Sequence, residues 1–518
     1  MTQTKRKSRK RAGGRDARIA LRADAVNKRP VRAGMLGGQY KPLSDSDLEK
    51  INKAALEILE TIGIGDPTPE VIEIATNAGA IISEHGRLCF PASLVEDLLA
   101  KAAKSYTIYS RSPKHDDVHV GGYHVNYSTS GEAVTILDPE TKIYRASTLE
   151  DLYNCGRMVD TLDNIHQFGQ MVIPTELNDL HVHDLNVAYV ALTSTEKPCE
   201  MTFQDVANIE PALEMFGMVA GSIDKFRERP FISFGGCPIV SPLKFGEDNL
   251  NVLIKSSQLG LISDIAIAPQ AGATAPAALA GTLAQVTAEG LACICIVNMI
   301  RPGCPMTFAI WPFVSDLRTG AFSGGSGEEA LMMASCAQIG RYYDLPTSVA
   351  ASMSDSKVPD AQAGFEKGIT AVTAGLAGAN RILESAGMLG SLMGVSLEAL
   401  VIDNDMLGVA QRVLAGLEVN DETLSIDVIR ETVLGPGHFL GHEQTISRME
   451  TDFLYPEIAD RSAPGVWEAE GSPDMFDRAR DVVKEVMRTH YPDHIDSQLD
   501  HAIRAKFPIV LPKEVMRR

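Results

Sequence analysis

Aromatic residues are scarce, at 6% of 518 positions with only two tryptophans. Such a core is built mainly from aliphatic side chains, and any place where rings gather is informative. Paired cysteines are missing as well. The eight cysteines are scattered, with no C-x-x-C, which disfavours zinc-ribbon, thioredoxin-type and disulfide-framework readings. A chain this long needs no staples, so reduced thiols in a cytoplasm are expected. Long uncharged apolar runs are lacking. The most apolar stretch, near Ala277 to Ile300, contains Gln285 and Glu289 and suits buried structure rather than a lipid span, so no membrane partner is expected. No apolar signal segment follows Met1, and export is not expected.

Positive charge is also in deficit. Lys and Arg number 48 against 67 Asp and Glu, a net charge of -19. An acidic surface repels polyanions, which argues against a nucleic-acid partner for the folded body. The start of the chain reverses this balance: TKRKSRKRAGGRDARIALRADAVNKRPVRAG is basic and poor in large apolar residues. Residues 1–42 are expected to form a disordered or extended arm.

Several catalytic signatures are absent too. No G-x-G-x-x-G follows a first strand, no GK[ST] follows the glycine-rich SGGSG, and neither HExxH nor HxxEH occurs. Dinucleotide, P-loop and zincin chemistry are disfavoured accordingly.

What is present is an alternation of patterns. Residues 43–147 read as helices, with Ser44 a candidate N-cap and Gly63 a stop, followed by period-two strands around a DPET turn. These predict an N-terminal helical part and a small antiparallel sheet. Over 148–445, helical patterns alternate with short apolar runs: HQFGQMVIP, PCEMTFQ, FISFGGCPIVSP, LISDIAIAPQAG, CPMTFAIWPFVSD, PTSVAASMSDS and RILESAGML. Repeated βα units predict an α/β fold, a TIM (β/α)8 barrel, with an open doubly wound sheet as the alternative. Residues 446–518 read as a C-terminal helical extension. Most of these runs end in Pro, Gly, Ser or Asp, and in barrels the active site lies at those strand ends.

Trp311 and Phe313 stand two apart in FAIWPFVSD, and Phe234 ends a comparable run. Residues at that spacing face one side of a strand. Rings on one wall attract quaternary ammonium at about 0.5–2 kcal/mol per contact, although plain core packing uses the same residues. His438 and His442 are four apart in GPGHFLGHEQT. The glycines around them oppose a helix and no acidic third ligand is evident, so a loop at the barrel mouth is the better reading than zinc. HVHD (His181, His183, Asp184) reads as surface or helix start. Cys293 and Cys295 read as inert core. SGGSGEEA places N–H groups at a helix start that can hold an anion or simply be capped. SMSDSKVPDAQAGFEKG crowds Asp355, Lys357 and Gln362 at a strand end, where they either cap a helix or line a pocket.

Four segments carry a resemblance: TAEGLACICIVNMIRPGCPMTF, DLRTGAFSGGSGEEALMMASCAQIGRYYDLP, SDSKVPDAQAGFEKGITAVTAGLAGAN and GHFLGHEQT, together with the Arg-rich start. In this order they resemble the trimethylamine methyltransferase family, and more specifically its pyrrolysine-free branch, which includes glycine betaine methyltransferase. The resemblance implies a TIM barrel that moves a methyl group from a glycine betaine-like quaternary amine to the Co(I) of a corrinoid (cobalamin) supplied by a cognate corrinoid protein. Trimethylamine or another methylamine is the alternative substrate. A quaternary nitrogen leaves as a neutral amine, so it needs no extra activation. On this reading Phe234, Trp311, Phe313, Asp355, Lys357, Gln362 and His438 are substrate-binding candidates. Arg301, Gly324, Gly325 and Ser326 are candidates for binding an anionic group, and His442 and Gln270 for facing the mouth. Lys357 is expected to anchor substrate rather than attack it. No bound metal is expected, and a homo-oligomer is. A non-catalytic amine-binding barrel and a metal-dependent hydrolase are the alternatives of another class, and a zinc-dependent methylcobamide:thiol transferase lacks its His/Cys set.

Overall fold

The computed structural model describes residues 30–517. The expected basic arm therefore lies mostly outside the described residues. From residue 30 the chain turns at Ala33–Gly34 and adds Met35–Leu36 antiparallel to the first strand of the main sheet.

Eight parallel strands form the centre of the molecule: β1 (His124–Tyr127), β2 (Phe168–Gly169), β3 (Cys199–Thr202), β4 (Ile232–Gly236), β5 (Ser263–Ile265), β6 (Met306–Ala309), β7 (Thr347–Ala350) and β8 (Arg381–Leu383). Each is followed by a helix: α1 (Leu149–Thr161), α2 (Leu180–Thr193), α3 (Ile209–Ala220), α4 (Glu247–Leu259), α5 (Leu279–Ile300), α6 (Gly327–Tyr342), α7 (Ala361–Ala377) and α8 (Leu397–Leu414). Parallel neighbours need such crossovers, and helices on the outer face bury the strands. With the Met35–Leu36 edge the result is a curled nine-stranded sheet in an α/β fold. Strands β2 to β8 lie side by side in chain order, and β8 pairs with β1 in register Arg381↔Asn126. At the other edge Ser128, just past β1, bridges Gln167 in parallel, and the Thr129 N–H donates to the Gln167 carbonyl at 3.2 Å.

Local chemistry sets the helix starts. Thr148 and Asp151 form a capping box on α1, Ser326 caps α6 and Asp360 caps α7. In the N-terminal part Ser44 caps Asp45–Glu57, and Gly63 at φ 68° stops the helical run, as the sequence predicts. The hairpin around DPET forms from Thr135–Leu137 and Tyr144–Ala146. HVNY does not join that small sheet, because its backbone pairs with β8 instead.

Among the described residues, one helix, α5, is long and apolar enough to cross a membrane; it is 89% buried within the fold. Cys293 and Cys295 lie in this helix, fully buried. The exposed apolar surface is concentrated elsewhere. Of 33 exposed large hydrophobic residues among the described residues, 15 fall between Val409 and Tyr455. Helix Glu443–Thr451 buries no residue and Ile426–Val433 buries only Thr432.

Candidate active site at the carboxyl rim of the sheet

The pleat decides which side chains face inward. On β3, the Cys199 thiol reaches the Ala191 carbonyl of α2, so Cys199 faces out and Glu200 faces in. On β6, Phe308 packs edge-on against Tyr343, while Thr307 bonds Asp264 on the inner side. On β4, Ser233 meets Gln167, whereas the Phe234 ring stacks on Phe203 at 5.4 Å and lies 6.0 Å from Phe216 of α3. Phe234 therefore faces the helix layer and does not line the inner space.

Arg381 occupies the middle of that space and is fully buried. Its Nη2 donates to Glu200 Oε2 at 2.8 Å, its Nε to Gln167 Oε1 at 3.0 Å, and its Nη1 pairs with Asp264. The Tyr106 hydroxyl donates to Asp264 at 3.0 Å. Burial alone would lower the guanidinium pKa, but Asp264 and Glu200 more than offset it and hold the charge firmly.

Further along the strands the inner positions are small. Continuing the alternation past Ser233, Asp264, Thr307 and Ser348 gives Gly235, Ala266, Ala309 and Ala350. Gly235 lies close to the Glu200 carboxyl: an added Cβ would stand 3.0 Å from it and crowd it. Three carboxyls converge here. Glu200 is raised by burial, against the pull of Arg381. Glu132, which accepts from the Thr202 hydroxyl, is also raised by burial. Glu384, one residue past β8, is pushed up to about 8 by burial and then by Glu200 and Glu132. The Cys237 thiol, at this recess, is pushed up to about 12 by burial and then by the same three glutamates. Such a thiol stays protonated and is not a nucleophile.

Glu384 has two marks of a functional group. Its backbone lies at φ 62°, a left-handed conformation that costs a non-glycine residue about 1–3 kcal/mol. Its Oε2 is buried with no hydrogen-bond partner. Glu329, in the first turn of α6, is fully buried with both carboxyl oxygens unpartnered. Burial, then Glu384 and Asp355, drive it well above the carboxylate range. Arg381 acts on Glu200, and His183 on Glu132.

Trp311 continues the inward positions of β6, and its indole N–H donates to Ser348 Oγ at 3.2 Å. Phe313 turns to Phe322, edge-on at 4.7 Å. Gln270 sits near the rim, 3.4 Å from the Ser315 hydroxyl. The SDSK segment is a structural knot. Asp355 accepts from Ser323 Oγ (2.7 Å), the Gly324 N–H (2.8 Å) and Ser391 Oγ (2.7 Å). The glycine-rich turn thus already holds a carboxylate, its own Asp355, and Ser326 is committed to capping α6. Beside that turn, Gly325 lies against Glu366, where an added Cβ would come within 2.5 Å of the carboxyl.

Lys357 is exposed, and its ammonium bonds the Asp355 carbonyl at 2.5 Å. Gln362 is exposed and bonds Glu366. Arg301 follows the C-terminus of α5, beside Gly260 at the amino end of the sheet. His438 is exposed, and His442 caps helix Glu443–Thr451 by accepting from the Gln444 N–H. None of these five joins the carboxyl cluster. His183 and Asp184, read from sequence as surface or helix start, are buried. Asp184 accepts from His183, Asn208 and the Gln204 and Asp205 N–H groups, and His183 acts on Glu132. The sequence reading missed Glu132, Glu200, Glu329 and Glu384. The one available signal was an acid directly after an apolar run, in RILESAG.

The family described as Trimethylamine methyltransferase (MTTB) matches residues 11–508. The chain is 32% identical over 465 residues to trimethylamine methyltransferase MttB of Desulfitobacterium hafniense, covering 89% of this chain and 92% of that one. It is 30% identical over 474 residues to glycine betaine methyltransferase of Desulfitobacterium hafniense, covering 91% and 97%. Among solved structures, the monomethylamine methyltransferase of Methanosarcina barkeri aligns over 90% of this chain and 97% of its own, at 14% identity and TM-score 0.45.

Proposed function

Because the chain belongs to the trimethylamine methyltransferase family, we propose that it takes a methyl group from a quaternary ammonium compound, the class that includes glycine betaine, and passes it to a corrinoid carried by a separate protein. The fold we propose is a (β/α)8 barrel, supported by eight sequential parallel strands and by the backbone contact between Ser128 and Gln167. The observation that carries the reading is the excess of carboxyl groups at the rim, where Glu132, Glu200 and Glu384 gather around one committed arginine. A cation entering that space relieves their mutual repulsion.

The Co(I) of the partner's corrinoid supplies the nucleophile. This chain's residues bind and aim the cation. Glu384 and Glu132 face its positive charge, and the Trp311 ring supplies a wall. Arg381 holds Glu200 in place from beneath. The C–N bond breaks with its electron pair staying on nitrogen, so the amine leaves neutral and needs no proton from the protein. Small residues at the strand ends leave room above Arg381 for a partner's group to approach.

The test is methyl transfer from quaternary ammonium compounds to a reduced corrinoid protein, followed by the cobalt absorption spectrum. Turnover with release of the tertiary amine is expected. Turnover of trimethylamine alone would overturn the quaternary reading in favour of the methylamine one, in which the same carboxyls hold a protonated tertiary amine.

Self-association also belongs to this proposal. Helices Ile426–Val433, which buries only Thr432, and Glu443–Thr451, which buries no residue, expose Ile426, Ile429, Val433 and Ile446, and such helices are unstable in water unless another surface covers them. A second copy presents the same apolar patch and so offers a matching, isologous surface. Sedimentation is expected to give a multiple of 55.8 kDa, falling to the monomer in Ile429→Glu/Val433→Glu. A wild-type monomer at micromolar concentration overturns it.

A further inference from the structure

We infer that the ammonium substrate carries no carboxylate: the site fits a simple or hydroxylated cation, of the tetramethylammonium or choline kind, better than a betaine. This rests on the quaternary ammonium reading above and narrows it.

Two independent observations support it. The first is the charge at the rim. Glu132, Glu200 and Glu384 act on one another, and Glu329 adds a fourth carboxyl beside Glu384. Arg381 opposes them through Glu200. Arg381 is fully buried, and its guanidinium is divided among Glu200, Asp264 and Gln167. His183 donates to Asp184 at 3.0 Å. A betaine would bring its carboxylate into a desolvated space that already holds several, where like charges repel strongly.

The second observation is the fate of the groups that could anchor a carboxylate. Lys357 points to solvent and bonds its own segment's backbone. Arg301 lies at the other end of the sheet. The N–H of Gly324 is occupied by Asp355, which the Ser323 and Ser391 hydroxyls also hold. That N–H of the turn is taken by the protein's own carboxylate. A hydroxyl on the substrate, in contrast, finds an acceptor: Glu384 Oε2 is buried without a hydrogen-bond partner. An alcohol O–H can donate to it, which gives choline an advantage over tetramethylammonium.

The test uses the purified full chain at pH 9, with calorimetric binding and methyl transfer measured for four ligands: tetramethylammonium, choline, glycine betaine and carnitine. Choline is expected to bind at least tenfold more tightly than glycine betaine and to have the higher kcat/KM. In Glu132→Gln, which removes one repelling charge, the ratio of choline to glycine betaine affinity should shrink severalfold. Equal or tighter binding of glycine betaine overturns this inference while leaving the quaternary ammonium reading standing. If none of the four binds or turns over, the quaternary ammonium reading fails and this inference falls with it.

Discussion

Arg381→Met is expected to destabilise the protein by about 3–5 kcal/mol, the usual cost of stranding buried charge by removing its partner. Glu200 and Asp264 both pair with this one guanidinium. Asp264 lies in the contacts of Tyr106 and Thr307 and cannot turn to water without breaking them. The measurement is the denaturant midpoint, with unchanged slope. The triple variant Arg381→Met/Glu200→Gln/Asp264→Asn should recover most of the loss, since a neutral set of similar shape has no stranded charge. If the triple variant is no better than the single one, the arginine's role is packing rather than charge.

The second large effect is expected at Glu384. At pH 9, where its carboxyl is ionised, Glu384→Gln should weaken ammonium binding roughly 30- to 100-fold, about 2–3 kcal/mol at 1.4 kcal/mol per decade, in the range for loss of one member of a desolvated charge pair. The pH dependence follows from its position beside Glu200, Glu132, Glu329 and Cys237. A carboxyl pushed up to about 8 is protonated below that pH and does not attract a cation. Wild-type affinity should therefore rise up to tenfold per pH unit towards about 8 and then flatten. The variant should show no such rise from this group. Stability moves the opposite way. The raised pKa means that the folded form holds the proton more tightly than the unfolded chain does, so this stabilisation is complete below the ordinary carboxyl range and is lost as pH rises through about 8. Glu384→Gln should accordingly be the more stable protein at pH 9 while binding worse. Loss of both would mark Glu384 as a structural residue.

How much of this could be read in the sequence depended on the range of the interactions. Seven of the eight parallel strands coincide with apolar runs because a strand buried on both faces must be apolar throughout. HVNY was placed in the wrong sheet because His124 and Asn126 make it look half-exposed. In the fold the Asn126 amide donates to the His119 and Asn380 carbonyls, which no local pattern reveals. The rim failed for the same reason. Glu200 within PCEMTF and Glu329 in the first turn of α6 resemble ordinary strand and helix-start acids. They matter only because curling of the sheet brings residues 132, 200, 329 and 384 together. Lys357 misled in the opposite direction. Its composition suggested a pocket, but Asp355 ties the loop to two neighbours and leaves the lysine outside. The side of the strand that Trp311 faces is readable because residues two apart along a strand share a face.

The order of the strands has a consequence for synthesis of the chain. From β2 to β8 each strand pairs with one made shortly before it. β1 is different: one of its edges is filled by β8, and Asn126 donates to the Asn380 carbonyl across 254 positions. At translation rates of about 5–20 residues per second, that edge waits roughly ten to fifty seconds for its partner. An unpaired parallel edge is a template for wrong pairings during this time. Met35–Leu36, translated earlier, pairs antiparallel with the opposite edge of β1, so the edge awaiting β8 is the one left open.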